Sequence, residues 1–199
     1  YSVEKFIVAR RLMYWMVYLH KTSLVADYIL VKILKRAKEI INKGVTINCS
    51  ESLKFFLSND DFECFNDSIL QRYSEIDDYD IMMAVKLWMA HPDYILSTLS
   101  KSLIYRKLPK IIIQDSAFSL SKIEKVKLKV SNKMNLDDQL IDYFVDIGTI
   151  KNQAYDLENS SINILYKSGE IKDITEASDH LNLLALSKPV LKHFLYYPK

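Results

Sequence analysis

Three polar side chains, an arginine and two tyrosines, recur at intervals of four residues near the start of the chain. Arg10, Tyr14 and Tyr18 lie in a stretch whose apolar periodicity predicts one long amphipathic helix over residues 2–36. Positions i, i+4 and i+8 share one face of a helix, so a guanidinium and two phenols form a polar ladder. Arginine offers a planar fork of donors that suits phosphate, and tyrosine offers a ring and a hydroxyl that suit a sugar or a base. The ladder predicts nucleotide contacts; the alternative is that these amphipathic side chains cover an edge of the core.

The segment around the ladder resembles a known family. The run ARRLMYWMVYLHKT, residues 9–22, resembles the segment that follows the metal-binding core in HD-domain phosphohydrolases of the bacterial dNTP triphosphohydrolase (dGTPase-like) type. That segment typically carries an Arg, a Tyr eight residues later and then His-Lys. YRKLPK, residues 105–110, looks like the family's YRxLxK segment, and DDYDIMMAVKLWMAHPD, residues 77–93, is similar to its acidic-start helix. The closing run ITEASDHLNLLALSKPVLKHFLYYPK, residues 174–199, resembles the end of bacterial members.

The resemblance implies a role for each residue of the ladder. Arg10 would contact a phosphate of the triphosphate tail, and Tyr18 would lie beside the sugar. Tyr14 stands where family members vary. Arg11 lies about 100° around the helix from Arg10, so we expect it to be solvated or ion-paired rather than part of the ladder.

The resemblance also implies a second nucleotide site. In regulated members, His-Lys and Arg positions similar to His20, Lys21 and Arg106 bind an effector nucleotide at a subunit interface. The alternative is that these residues form two basic patches on the surface. Pro109 stands where the family pattern often has an aromatic residue, which is a departure from the effector-binding pattern.

The family's metal-binding signature is absent from this chain. The signature is a His, an adjacent His-Asp pair and a later Asp, which together bind a divalent metal. Four histidines are present and none precedes an Asp: His20, His91, His180 and His193. We therefore expect no metal ligand and no catalytic residue here. The catalytic core and its divalent metal are expected upstream in a larger parent, with which a start at Tyr1 rather than Met is consistent.

Composition bounds the class of protein and its partners. The chain has 199 residues, of which 49% are hydrophobic and 26% charged, an ordinary globular balance. A net charge of +2 gives no electrostatic footprint for nucleic acid. No signal peptide or membrane-spanning run is visible, and the two cysteines lack CxxC spacing. We therefore expect a cytoplasmic protein that binds neither nucleic acid nor membrane.

Breakers are few, with 3 Gly and 4 Pro, which favours long helices. The first helix should run from residue 3 to about residue 42, bend near residues 21–23, pack on several sides and end at Gly44. Further helices are expected at residues 51–57, 65–73, 79–90, 94–105, 119–133, 175–184 and 188–194, and strands at residues 110–113, 143–150, 162–166 and 171–174. The predicted fold is mainly α with a smaller α+β C-terminal part: a long central N-terminal helix, a helical bundle, then a small sheet with helices. We expect a helical region at residues 1–108 and an α+β region at residues 109–199.

Two functions follow from these observations. The first is the C-terminal part of a metal-dependent HD-family phosphohydrolase that hydrolyses (deoxy)nucleoside triphosphates or another phosphate ester, with this part making substrate and oligomer contacts. The second is a non-catalytic oligomerisation or partner-binding domain. A long helix that is apolar on several faces predicts a homo-oligomer in either case.

Overall fold

The computed structural model describes residues 2–59, 66–153, 155, 161–178 and 189–199. Its helices are α1 Ser2–Met13, α2 Lys21–Asn42, α3 Glu51–Ser58, α4 Asp67–Ser74, α5 Asp78–Trp88, α6 Tyr94–Ile104, α7 Leu120–Met134, α8 Asp138–Ile141 and α9 Ile174–Ala177. Its strands are β1 Lys110–Gln114, β2 Asp146–Asn152, β3 Asn163–Leu165, β4 Ile171–Asp173 and β5 Val190–Tyr197. The prediction of a mainly α fold with a smaller α+β C-terminal part is confirmed.

The first predicted helix is interrupted rather than continuous. After α1 the chain makes a π-helical turn, Tyr14–Tyr18, in which the Leu19 amide donates to the Tyr14 carbonyl at 2.7 Å. His20 is extended, with ψ 139°, and its Nδ1 accepts a hydrogen bond from the Thr22 amide at 3.3 Å. This residue therefore ends the first helix and caps α2, so the break lies slightly before the predicted bend.

Helix α2 is the central element of the helical part. Its buried residues recur every three or four positions: Leu24, Val25, Ile29, Ile33, Ala37 and Ile40. This apolar stripe belongs to the core that also contains residues of α3, α5, α6 and the three-stranded sheet. Helix α1 and the π-helical turn differ, because Phe6, Leu12 and Met13 of α1 and Met16 of the turn are 50 to 71% exposed. We call these four side chains the surface of α1. Packing on several sides is therefore correct for α2 and wrong for these four residues.

The helix ends follow the local capping chemistry that the sequence indicates. The Ser50 hydroxyl accepts from the Leu53 amide at the start of α3. Asp77 and Asp80 form a reciprocal capping box at the start of α5. Gly44, at φ +80°, follows the end of α2, as predicted.

The C-terminal sheet has the strand order β1-β5-β2, and both pairings are antiparallel. The predicted helix at residues 188–194 is therefore wrong. Val190–Tyr197 forms the central strand, whose partners on its two sides include Ile112 opposite Leu195 and Gly148 opposite Phe194. A short apolar run suits a buried strand and a buried helix equally well. Here β1 and β2 provide backbone hydrogen-bond partners on both sides, so the run forms a strand.

Other predictions for this region are confirmed or corrected in detail. β3 and β4 form the predicted hairpin, with Asn163 opposite Asp173. The strand predicted at residues 143–150 begins only at Asp146, because Tyr143 and Phe144 continue the turn that follows α8. The helix predicted at residues 65–73 begins at Asp67, because Asn66 is extended and caps it. The helix predicted at residues 175–184 ends at Ala177, because Ser178 is extended, and residues 179–184 lie outside the described residues.

One hydrophobic core unites the helices with the sheet. Phe194, Leu195 and Tyr196 of β5 are fully buried in the same cluster as the stripe of α2. The Tyr28 ring of α2 lies 4.6 Å from the Phe194 ring, centroid to centroid. The predicted regional boundary at residue 108 stays a prediction. No helix in the described ranges combines the length and the apolarity that crossing a bilayer requires.

Candidate functional site

The polar ladder exists as a column of three contacting side chains. The Arg10 guanidinium carbon lies 5.7 Å from the centroid of the Tyr14 ring. The Tyr14 and Tyr18 rings follow, with centroids 5.1 Å apart and planes inclined at 49°. Tyr14 opens the π-helical turn and Tyr18 closes it, so the column depends on this turn, a feature frequently found at functional sites. The structure thus brings together all three residues of the predicted substrate site.

The ends of the column are open to solvent. Tyr18 is 54% exposed, Arg10 is exposed, and Tyr14 is half-buried between them. Arg10 makes no hydrogen bond or ion pair with any described residue. A cation–π contact at an exposed site is worth about 0.5–1 kcal/mol, which orients the guanidinium without neutralising it. The column can therefore present a positive, donor-rich group beside two phenols.

Arg11 does not behave as the sequence predicts. The residue is half-buried, and its Nη1 is shielded from solvent without a hydrogen-bond partner in the described part of the chain. An unsatisfied buried donor costs about 1–3 kcal/mol, so such groups normally have partners. Arg11 is therefore only partly exposed to solvent, and no described residue forms an ion pair with it.

The residues of the predicted effector site come from two segments of the chain. His20 caps the start of α2 and Lys21 is its first residue, whereas Arg106 follows the end of α6. His20 and Lys21 form no hydrogen bond or ion pair with Arg106 among the described residues.

A polar cluster that the sequence analysis missed joins α2 to α6 and to the turn after α8. Arg36 donates from Nε to Asp93 Oδ1 at 3.1 Å and from Nη2 to Asp93 Oδ2 at 2.6 Å. Its Nη1 donates to Glu39 Oε2 at 2.9 Å, and the Tyr143 hydroxyl donates to Glu39 Oε1. The Arg36 side chain is only 11% exposed. We call Arg36, Glu39, Asp93 and Tyr143 the Arg36 clamp.

The electrostatics of the clamp are those of a paired structural cluster. Burial works to raise the pKa of Asp93, but hydrogen bonds from Arg36 and from the Leu96 amide hold that pKa below its ordinary value. The hydrogen bond to Asp93 raises the pKa of Arg36. Burial and the bond to Glu39 raise the pKa of Tyr143 to about 12. Because these charges are satisfied by one another, the clamp holds elements together and offers no free reactive group.

The described residues do not fit the divalent metal that the family resemblance implies. Such a metal needs several converging imidazole, thiolate or carboxylate ligands. No three His, Cys, Asp or Glu side chains converge in this way among the residues that the structure describes. His20 Nδ1 instead accepts a hydrogen bond from the Thr22 amide, and His91 Nδ1 accepts one from the Asp93 amide. His180 lies outside the described residues, and the upstream location of the metal stays a prediction.

Comparison with known proteins places the chain beside a hydrolase. No protein-family model matches it. It is 26% identical over 207 aligned positions to the uncharacterized protein YwfO of Bacillus subtilis, covering 100% of this chain and 45% of YwfO. The crystal structure of a phosphohydrolase from Bacteroides thetaiotaomicron matches with a TM-score of 0.89 and 42% identity, covering 100% of this chain and 50% of that one. The chain thus spans about half the length of these relatives, and over its whole length it is similar to half of a phosphohydrolase.

Proposed function

We propose that this chain is the C-terminal part of a metal-dependent HD-domain phosphohydrolase that hydrolyses (deoxy)nucleoside triphosphates. The observation that supports this proposal is the exposed Arg10–Tyr14–Tyr18 column on a chain similar throughout to half of a phosphohydrolase. The divalent metal and the catalytic residues belong to the part upstream. This chain contributes contacts to the substrate and to other subunits, in the cytoplasm.

The surface of α1 supports the existence of a further part. Phe6, Leu12, Met13 and Met16 are largely exposed, and Arg11 holds a buried donor without a partner in the described residues. Monomeric proteins rarely expose contiguous apolar patches of this kind, which mark contact surfaces. An upstream half, which the lengths of both relatives would accommodate, would cover this surface and supply an acceptor for Arg11.

Each residue of the column has a different role in the proposed site. Arg10 binds a phosphate oxygen or a pair of oxygens through its planar fork, a charge-assisted interaction about twice as strong as a neutral hydrogen bond. Tyr14 orients the guanidinium through its ring. Tyr18 contacts the sugar through its hydroxyl. None of the three transfers a proton in this proposal, so they act by binding and positioning.

The test is the hydrolysis of each dNTP by the full-length protein with Mn²⁺ or Mg²⁺. Arg10→Ala removes a hydrogen bond to a charged group worth about 1.5–3 kcal/mol, so kcat/KM should fall by about 10- to 150-fold while the melting temperature is kept. Tyr18→Phe, which deletes only the hydroxyl, should cost about 0.5–1.5 kcal/mol.

Lys5→Ala is the matched control, because Lys5 is an exposed cation on the same helix outside the column. Arg11→Ala is unsuitable, since Arg11 is half-buried. Equal turnover by Arg10→Ala and Lys5→Ala would refute the nucleotide role of the column. Hydrolysis of another phosphate ester but of no dNTP would refute the substrate class alone.

The effector site is a further part of the proposal. Lys21 and Arg106 have no acidic partner among the described residues, and Lys21 directly follows His20 at the start of α2. These features would suit an anionic nucleotide held between subunits. A Lys21→Ala variant of the full-length protein should lose activation by added dNTP and keep its basal rate; unchanged activation would show two ordinary basic patches.

The second candidate function is a non-catalytic oligomerisation or partner-binding domain. The exposed apolar side chains of α1 favour it, because they would form an interface with any protein that covers them. Light scattering together with dNTPase assays of the full-length protein separates the two functions. Oligomers without hydrolysis of any phosphate ester would favour this candidate, whereas metal-dependent hydrolysis would favour the first.

A further inference from the structure

A cavity of about 740 Å³ lies between α2, α6, residues 105–109 and the end of β5. This volume falls within the range of small-molecule sites, roughly 300–1,000 Å³. Its buried wall combines three apolar side chains, Ile29, Leu99 and Phe144, with Tyr196, whose shielded hydroxyl has no hydrogen-bond partner among the described residues.

The rim of this cavity is basic. Lys101, Arg106 and Lys107 line it and are exposed to solvent. No aspartate or glutamate is among the described residues that line it. An apolar interior with a cationic mouth selects a ligand that carries a negative charge at one end of an apolar body, since each end then meets a matching environment.

The backbone at Arg106 gives an independent indication. Arg106 has φ +55°, a left-handed conformation, and the hydrogen bonds around it close the end of α6: its amide donates to the Leu103 carbonyl and the Lys107 amide to the Ser102 carbonyl. Glycine is the usual residue at such a position, because a side chain there is strained. Strain of this kind persists where the side chain has a use, and here the side chain stands at the mouth of the cavity.

We propose that this cavity binds an organic anion with an acyl body, whose head group is held by Arg106 and its neighbouring lysines and whose chain lies against Ile29, Leu99 and Phe144. A nucleotide fits less well, because most of the wall is apolar and two of its hydroxyls, those of Ser102 and Tyr143, already donate to Lys107 and Glu39. This proposal shares Arg106 with the effector part of the proposed function, and the ligands compared below distinguish the two; it does not involve metal-dependent hydrolysis.

The test is isothermal titration calorimetry of the full-length protein with saturated carboxylates of eight, ten and twelve carbons, below their micelle concentrations. One site per chain is expected, with the affinity rising by up to about fourfold for each added methylene. Arg106→Gly should weaken binding by about 10-fold or more, because it removes a charge-assisted contact. The same change relieves the backbone strain, so the melting temperature should stay constant or rise by about 2–4 °C.

Three variants complete the experiment. Thr98→Phe places a ring at a half-buried position of the cavity wall and should also abolish binding. Asn135→Gly relieves the other described non-glycine residue at positive φ, outside the cavity, and Lys86→Ala removes an exposed cation elsewhere; neither should change binding.

The following results would overturn the proposal. Binding that survives both Arg106→Gly and Thr98→Phe would be adsorption to the exposed apolar surface of α1. A complete lack of carboxylate binding would also refute it. Arg106-dependent binding of a dNTP, without binding of any acyl carboxylate, would assign the cavity to the effector nucleotide instead.

Discussion

Replacing Asp93 by Asn isolates the ion pair of the Arg36 clamp. Asn keeps an oxygen that can cap α6, where Asp93 Oδ1 accepts from the Leu96 amide at 2.8 Å, but it loses the negative charge that faces Arg36. The guanidinium would then stay in place with an 11% exposed side chain and only Glu39 as its carboxylate partner. We therefore expect a folded but less stable protein.

The magnitude follows from the burial of the two side chains. Removing one partner of a buried ion pair costs about 3–5 kcal/mol, and exposed pairs contribute about 0–1 kcal/mol. The Arg36 and Asp93 side chains are 11% and 20% exposed, and Glu39 compensates part of the loss, so we expect about 2–4 kcal/mol for Asp93→Asn. Asp93→Ala also removes the cap and should cost about 1 kcal/mol more.

Urea unfolding followed by far-UV circular dichroism measures these differences, with Asp67→Asn, an exposed first-turn residue of α4, as the control. The pKa of Asp93 is lowered in the folded state, so its contribution is present above the unfolded pKa of about 3.9 and is lost as the pH falls through the folded value. The gap between the two proteins should therefore be constant from pH 7 to pH 5 and close in stronger acid. A difference below about 0.5 kcal/mol at pH 7, or one that is unchanged at pH 3, would refute this reasoning.

Two further predictions test the packing of the sheet and the hydrogen bond from Tyr143 to Glu39 in the Arg36 clamp. Gly148→Ala would place a Cβ atom 2.5 Å from Cζ of the fully buried Phe194 ring, so it should cost about 1–3 kcal/mol in urea unfolding, whereas a cost near zero would show that the ring moves freely. The pKa of Tyr143 is raised to about 12, so Tyr143→Phe should remove one tyrosine that ionises near pH 12 from an ultraviolet absorbance titration. Because this pKa is raised in the folded state, the stability that Tyr143 contributes should be fully present below pH 10 and be lost as the pH rises towards 12. An unchanged titration curve would contradict the bond to Glu39.

Local chemistry explains which elements could be predicted from the sequence. Ser50, Asp77 and Asp93 cap helices by accepting hydrogen bonds from amides two or three residues away. Helix starts of this kind can therefore be predicted from neighbouring residues without knowledge of the fold. The spacing of Arg10, Tyr14 and Tyr18 likewise predicts that they share one helix face, but it does not predict the π-helical turn on which their column depends. Neighbouring residues in the chain decide these features.

Long-range pairing explains what could not be predicted. Arg36 and Asp93 are 57 residues apart, and neither has a local pattern that indicates its partner. β5 was predicted as a helix because its apolar run suits either structure, and only the flanking strands β1 and β2 decide between them. The exposure of α1 and the cavity between α2, α6 and the end of β5 likewise depend on how distant segments of the chain pack together.

The position of β5 in the sheet sets the order in which the protein can assemble during synthesis. β1 and β2 leave the ribosome first, yet in the described part of the chain β5 lies between them and pairs with both, so their inner edges stay open until residues 190–197 follow. The helices can form as they emerge, whereas the apolar stripe of α2 stays partly uncovered until Phe194, Leu195 and Tyr196 join the core. A nascent chain stalled before residue 190 would thus expose unpaired strands and an open core together, which is the state that chaperones recognise and that aggregates most readily.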